Sequence, residues 1–139
     1  YIDNGWATTY NADAVIIATP TGSTAYALAC GGPILPPELF NILIVPVAPH
    51  LSMDRPIVLS QGAMVEIIPS PDTEREIVVT FDGQLIHGVR SGDLVRVQAS
   101  DHTSRFVRLR ERGYFYRSLL DRLEPPRPRP PERPAILDD

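Results

Sequence analysis

Apolar and polar positions along this chain fall mostly into short runs broken by turn residues. Ala14-Val15-Ile16-Ile17-Ala18-Thr19 is a β-branched run stopped by Pro20, the pattern of a buried strand. Downstream, short apolar or alternating stretches at Ile42–Val47, Pro56–Leu59, Met64–Ile68, Ile77–Phe81, Leu94–Gln98 and Arg105–Arg110 predict further strands. Gln84–Val89 predicts a return strand after the Asp82-Gly83 turn. Ser60-Gln61-Gly62, Pro69-Ser70-Pro71-Asp72 and Ser91-Gly92-Asp93 supply the punctuation between them. No alternation of strands and helices is visible after Gly32, so the pattern predicts a mostly β fold, a sandwich or barrel, and not a doubly wound sheet.

Two segments depart from this pattern. Pro20-Thr21-Gly22-Ser23-Thr24 is turn chemistry with hydroxyls placed to cap a helix. Ala25-Tyr26-Ala27-Leu28-Ala29-Cys30 suits two helical turns before Gly31-Gly32-Pro33 ends them. Backbone N–H groups at a helix start lack intrahelical acceptors, and small residues there let a polar ligand approach, so the turn is a candidate cradle. The same residues also read as a plain capped helix with Tyr26 in the core, and local physics leaves both readings open. Near the end, Phe115, Tyr116, Leu119, Leu120 and Leu123 form the apolar stripe of an amphipathic helix. Beyond it, Glu124 to Pro134 holds six prolines with Arg127, Arg129 and Arg133 between them. That composition favours an extended or disordered tail. The expected organisation is one domain over residues 1–123 and a Pro/Arg-rich tail over 124–139.

Composition narrows the chemistry. At 139 residues and 43% hydrophobic content the chain can bury one core. Every cation is an arginine, which excludes a lysine Schiff base or a P-loop lysine within these residues. Cys30 is the single cysteine, and His50, His87 and His102 have no metal-ligand spacing, so neither an intramolecular disulfide nor a protein-held metal is expected. The net charge of −4 is unevenly spread: residues 1–100 carry four arginines against ten acids, residues 101–139 nine arginines against seven acids. No apolar run approaches the roughly 20 residues of a membrane span, and the first residues have no signal-peptide pattern. A cytoplasmic protein without membrane or nucleic-acid partners is the expectation.

The string Thr19-Pro20-Thr21-Gly22-Ser23-Thr24-Ala25-Tyr26 resembles the signature of NAD kinases. Other segments resemble the family in the same order: Tyr10-Asn11-Ala12-Asp13 before the strand, Gly31-Gly32-Pro33-Ile34 after the helix, Pro46-Val47-Ala48-Pro49-His50-Leu51-Ser52 with Arg55-Pro56-Ile57-Val58, and Phe81-Asp82-Gly83-Gln84. Together they span about residues 10–100. The resemblance implies the family's C-terminal β-sandwich domain, which follows an N-terminal α/β domain and binds NAD. The phosphoryl donor is ATP or polyphosphate, accompanied by Mg²⁺ or another divalent cation, and NADP is the product. It implies NAD contacts at Asn11, Asp13, Thr24, Ala25, Tyr26, Ala27, Leu28, Ala29 and Gln84, with the Tyr26 ring against a flat face of the dinucleotide and the Asp13 carboxylate accepting from an amide or amino group. It also implies assembly into dimers or tetramers, and a C-terminal segment, Phe115 to Leu123, that returns toward the first domain. Ala14 stands where the family commonly has glycine, a difference that matters only if that backbone needs a positive φ or close ligand contact.

Two family features are absent from these 139 residues: the glycine-glycine-aspartate-glycine-threonine loop that supplies the catalytic aspartate, and an asparagine-glutamate pair. No catalytic residue is therefore expected in this chain, which should be inactive alone. Two other readings remain at this point, a lipid kinase of the diacylglycerol or sphingosine kinase type and a non-catalytic dinucleotide-sensing or interaction module.

Overall fold

The structure, a computed structural model, describes residues 1–73, 75–105, 107, 109, 111 and 113–124, with the backbone alone at Leu85 and Ile86. Strands β1 (Ala14–Ala18), β2 (Asn41–Val47) and β3 (Ile57–Ser60) form an antiparallel sheet in the order β1-β2-β3. Strand β2 runs Asn-Ile-Leu-Ile-Val-Pro-Val and is buried from Ile42 through Pro46. Its two faces serve two cores, because successive side chains of a strand point to opposite sides. Leu43 and Val45 pack with Ala27 and Leu35, backed by Ile16, Ala18 and Cys30. Ile42 and Ile44 pack with Val65, joined by Ile57, Leu59, Ile67, Val97 and Tyr10. A strand covered on both faces reads as a continuous apolar run, and this one does. Pro46 is tolerated within it because pairing with β3 ends at Ile44, while pairing with β1 continues to Val47.

Two smaller antiparallel pairs follow. Strand β4 (Val65–Ile67) pairs with β7 (Val95–Val97), and β5 (Ile77–Phe81) pairs with β6 (Gln84–Val89). Asp82 and Gly83 take φ 48° and 82°, the double left-handed conformation of a two-residue type I′ hairpin, as the Asp-Gly pair predicts. The register shifts between Val79 and Thr80, which pair with His87 and Leu85, so Ile86 is the extra residue of a bulge. Helix α1 (Tyr26–Ala29) is a single turn, preceded by a 3₁₀ turn at Thr21–Thr24.

The mostly β expectation holds, with strand ends within two residues of those predicted for the seven that form. The strand expected over Arg105–Arg110 is not observed at Arg105, Val107 or Leu109, and its other residues lie outside the described ones. Val107 and Leu109 are 88% and 94% exposed, so the alternating pattern has no partner strand to reward it at those positions.

The described residues from Ser104 to Glu124 belong to a separate compact unit. It contains helix α2 (Tyr114–Leu123), which covers the predicted stripe; the rings of Phe115 and Tyr116 meet edge to face at 5.1 Å, and none of its residues is buried. The tail expected at 124–139 lies, beyond Glu124, outside the described residues. No helix among the described residues is long and apolar enough to cross a membrane.

Candidate functional site

The segment after β1 is built differently from a capped helix. The hydroxyls of Ser23 and Thr24 do not cap α1, whose N-cap position is Ala25 with no side-chain bond. They turn back instead onto the carbonyls three residues earlier, Ser23 Oγ donating to Pro20 O at 2.6 Å and Thr24 Oγ1 to Thr21 O at 3.3 Å. The tighter 3₁₀ winding accounts for this, since it keeps the i−3 carbonyl within reach of the hydroxyl. Ser23 is wholly buried and its Oγ also accepts the Leu35 N–H at 3.0 Å. A buried amide needs an acceptor, and Ser23 provides it across twelve residues of sequence.

Helix α1 closes in a Schellman arrangement. Gly31, at φ 81°, donates to Leu28 O at 3.0 Å, and Gly32 donates to Ala27 O at 2.8 Å. A β-carbon on Gly32 would lie 2.7 Å from Ala27 O and 3.0 Å from Val45 Cγ2, so only glycine lets the chain pass this close to the helix and β2. The result is a fixed pedestal with an exposed top. Ala27 is 1% exposed and belongs to the core, whereas Tyr26, the residue before it, is 63% exposed. Ala25 and Ala29 are exposed and Thr24 and Leu28 half-buried. Of the two readings the turn allowed, the one with Tyr26 in the core is removed. The buried side chain of Ala27 leaves only its backbone for any ligand.

Asn11 and Asp13 lie at the opposite end of β1. The backbone of Asn11 is clamped to the loop after β2: Asn11 N–H donates to Ser52 Oγ at 3.1 Å, Ser52 Oγ–H to Asn11 O at 3.2 Å, and His50 N–H to Asn11 O at 2.7 Å. That loop carries left-handed backbone at Ala48 and Leu51, φ 46° and 51°. Non-glycine residues hold such conformations at a cost of about 1–3 kcal/mol, and only where their surroundings fix them. Asp13 donates its backbone N–H to Val47 O at 3.0 Å and presents an exposed side chain. Ala14 pairs with Val47 and is not among the residues of positive φ, so its backbone conformation does not call for the family's glycine.

The predicted contacts thus occupy three places. Thr24 to Ala29 make one surface, Asn11 and Asp13 lie before β1, and Gln84 is exposed at the tip of the β5–β6 hairpin, opposite Phe81. The five residues of β1 put about 17 Å of extended strand between Asp13 and the 3₁₀ turn. No hydrogen bond among the described residues joins the three groups. Sequence reasoning quoted Ser52 only as part of a motif and passed over Leu35, because the roles of both depend on contacts 41 and 12 residues away. A hollow of about 590 Å³ lies elsewhere, at the base of the hairpin among Glu76, Ile77, His87, Gly88, Val89, Arg90 and Asp93. None of the predicted contacts lines it, and the resemblance motifs weigh more for location than its volume does.

Tyr10 sits beside the clamp, with its ring against the second core. Its hydroxyl is buried without a hydrogen-bond partner among the described residues, and burial raises its pKa above the ordinary tyrosine value.

The profile of the ATP-NAD kinase C-terminal domain family matches residues 1–109. The NAD kinase of Thermococcus sibiricus is 46% identical to this chain over 114 residues, covering 82% of it and 41% of that protein. The NAD kinase of Geotalea daltonii is 40% identical over 114 residues, covering 82% and 40%. Among solved structures, the yeast NADH kinase complexed with NADH aligns with a TM-score of 0.65 and 34% identity over 70% of this chain and 28% of that one. The NAD kinase from Archaeoglobus fulgidus in complex with ATP aligns with a TM-score of 0.72 and 26% identity over 86% and 45%. The chain spans about two fifths of the length of the curated relatives it matches. With most of its residues covered by that profile, and with the turn, glycine pair and hairpin in the positions described, the chain belongs to the ATP-NAD kinase C-terminal domain family.

Proposed function

We propose that this chain is the NAD-binding part of an enzyme that transfers a phosphoryl group from ATP or polyphosphate to the 2′-hydroxyl of the adenosine ribose of NAD, giving NADP. The observation that carries this reading is the exposed ring of Tyr26, held over a buried turn within the family's eight-residue signature. An exposed aromatic face on a fixed base suits a nucleobase or nicotinamide, because stacking needs a flat surface that does not have to be ordered on binding. Thr24 offers a hydroxyl and Ala25 its backbone beside that ring. Asp13, acceptor-only when ionised, suits an amide or amino group, with Asn11 beside it and Gln84 as a further polar contact. Ala27, Leu28 and Ala29 complete the wall.

The binding domain is residues 1–123, of the sandwich type, and 124–139 is a tail. The whole enzyme works in the cytoplasm as a dimer or tetramer, its α/β domain supplying the catalytic aspartate. Among the described residues no three His, Cys, Asp or Glu side chains are grouped to hold a metal ion, so these residues do not fit the divalent cation that accompanies the donor. This chain's part is to bind and orient NAD. Phosphoryl transfer is catalysed by positioning together with electrostatic stabilisation, and orienting NAD belongs to the positioning.

NADP formation from NAD with ATP or polyphosphate and Mg²⁺, assayed with the longer protein that includes the preceding domain, tests the reading. Activity that drops on Tyr26→Ala or Asp13→Ala, and is absent from the 139-residue chain, is the expected result. A folded longer protein that binds NAD without phosphorylating it would favour a sensing module. One that neither binds nor reacts would end the proposal.

A further inference from the structure

The surface under Tyr26 has two buried fastenings, and the first is the Gly32 N–H bond to Ala27 O already described. The second is Ser23, the one polar side chain among the buried residues described. Its hydroxyl has one proton and two lone pairs. The proton goes to Pro20 O at 2.6 Å, and a lone pair receives the Leu35 N–H at 3.0 Å. The hydroxyl therefore bridges the start of the 3₁₀ turn and the chain that leaves the Gly31-Gly32 pair. These are the two backbone segments on either side of α1. Leu35 in turn packs in the core with Ala27, so the fastening is anchored to β2 through Leu43 and Val45.

We infer that Ser23 is a positioning residue for dinucleotide binding. It touches no ligand and sets the orientation of Thr24, Ala25 and Tyr26, the three residues that follow it. This rests on the reading that Tyr26 receives the dinucleotide. Helix α1 is a single turn, too short to hold its own conformation, so its orientation is dictated by what its ends are fastened to. Without the hydroxyl, the buried Leu35 N–H has no acceptor among the described residues, and Pro20 O keeps only the Ser23 N–H at 3.2 Å. The turn then relaxes toward water, and the Tyr26 ring samples more orientations. Ligand binding would have to order the ring again, which weakens affinity without removing any contact.

The test compares Ser23→Ala and Ser23→Cys with the unaltered 139-residue chain by NMR on ring-labelled tyrosine and by amide exchange, with NADH as the binding probe. In Ser23→Ala, Leu35 amide exchange should quicken and the Tyr26 ring signals should average, while Leu43 and Val45 amides stay protected. Affinity for NADH should fall by up to about tenfold, the size expected when one side chain has to be ordered on binding. Ser23→Cys keeps the volume and a weak donor and acceptor, so it should fall between and still fold if the alanine variant does not. Unchanged Tyr26 ring signals in a variant that has lost Leu35 protection would overturn the inference and make Ser23 a local fastening only. Because the ring signals are read in the free chain, a response there without NADH binding by any form would support Ser23 as the positioning residue and count against the NAD reading instead.

Discussion

The pedestal after β1 and the β5–β6 hairpin both carry residues that the family resemblance assigns to a dinucleotide, Tyr26 on one and Gln84 on the other, but their foundations differ. The pedestal stands on the core. Ala27 and Leu35 pack on Leu43 and Val45, and buried hydrogen bonds from Ser23 and Gly32 close it. The hairpin contributes no described side chain to either core cluster, and Val78 and Phe81 are largely exposed along it. A two-stranded hairpin alone is marginally stable in water. A site spread over both would have one wall already in place and one that is ordered largely by its own turn.

Truncation separates the two most sharply. Leu43→Ala removes a wholly buried side chain from the centre of the first core and should cost about 2–5 kcal/mol by urea unfolding. Val78→Ala, on a residue about half exposed, should stay within roughly 0.5 kcal/mol. Comparable losses at the two positions would mean that the hairpin is packed as firmly as the pedestal, and the contrast would fail.

Glycine replacement sharpens the same contrast through the backbone. In Gly32→Ala the new methyl meets a backbone carbonyl at 2.7 Å, and a loss of about 1–3 kcal/mol follows from overpacking that only a shift of α1 or β2 can relieve. Gly83→Ala meets open space, and its cost is conformational, about 1–2 kcal/mol for an L-residue at φ 82°. Amide exchange tells them apart: Gly32→Ala should loosen Leu43 and Val45, and Gly83→Ala only the β5–β6 amides. Loosening of the core amides by Gly83→Ala would show that the hairpin is coupled to the pedestal.

This difference in foundations also marks what could be read from the residues alone. Both ends of β5 and β6 were legible because an Asp-Gly pair between alternating apolar residues is a local signal that needs nothing else to act. The glycine pair after α1 was legible for the same reason, since a left-handed C′ position calls for glycine wherever the helix lies. What rests on distant partners was not. The hydroxyl-rich turn looks like a helix cap until Leu35 is known to lie over Ser23, and the Ala27 side chain does not read as part of the core until β2 is known to lie beneath it. The Arg105 to Arg110 alternation has the period of a strand, but a period does not provide a neighbouring strand. The division of the candidate residues among three elements was legible, since Asn11 and Asp13 precede a predicted strand, Thr24 to Ala29 follow it and Gln84 follows the Asp-Gly turn; the distant partners that fasten them were not.

At the other end of β1 from the pedestal, Tyr10 offers a smaller effect with a sign of its own. Its buried hydroxyl has no partner among the described residues, so Tyr10→Phe gives up no hydrogen bond to them and should leave neutral-pH stability unchanged or raise it by up to about 1 kcal/mol. The pH dependence follows from its raised pKa. The unfolded chain ionises this phenol near its ordinary value of 10.0, before the folded chain does. Stability from this group is therefore complete below about pH 10 and is lost as pH rises from there through the folded value. Phenylalanine should remove that share of the alkaline loss. Urea midpoints for both forms between neutral and alkaline pH check it, and a clear loss at neutral pH in the variant would mean that the hydroxyl has a partner after all.

The weakest expected effect comes from the pair that most resembles a designed stabilising contact. Glu66 and Arg96 face each other across β4 and β7, with Arg96 Nε and Nη2 both donating to Glu66 Oε1 at 3.0 and 2.8 Å. Both donors share one carboxylate oxygen, so this is not the two-oxygen fork that makes such pairs strong. The Arg96 side chain is 55% exposed, which leaves the attraction screened by water and salt. The β4 backbone at Glu66 is also held by Tyr1, whose carbonyl accepts the Glu66 N–H at 3.0 Å and whose amino group donates to Glu66 O at 2.8 Å. Glu66→Gln keeps the shape and those backbone bonds and removes only the charge, so it should cost about 0.2–1 kcal/mol at low salt and less at high salt. A loss that matched Leu43→Ala and ignored salt would place the stability of β4–β7 in its charges, whereas a small, salt-dependent one leaves it with Val65 and the face that β2 presents to it.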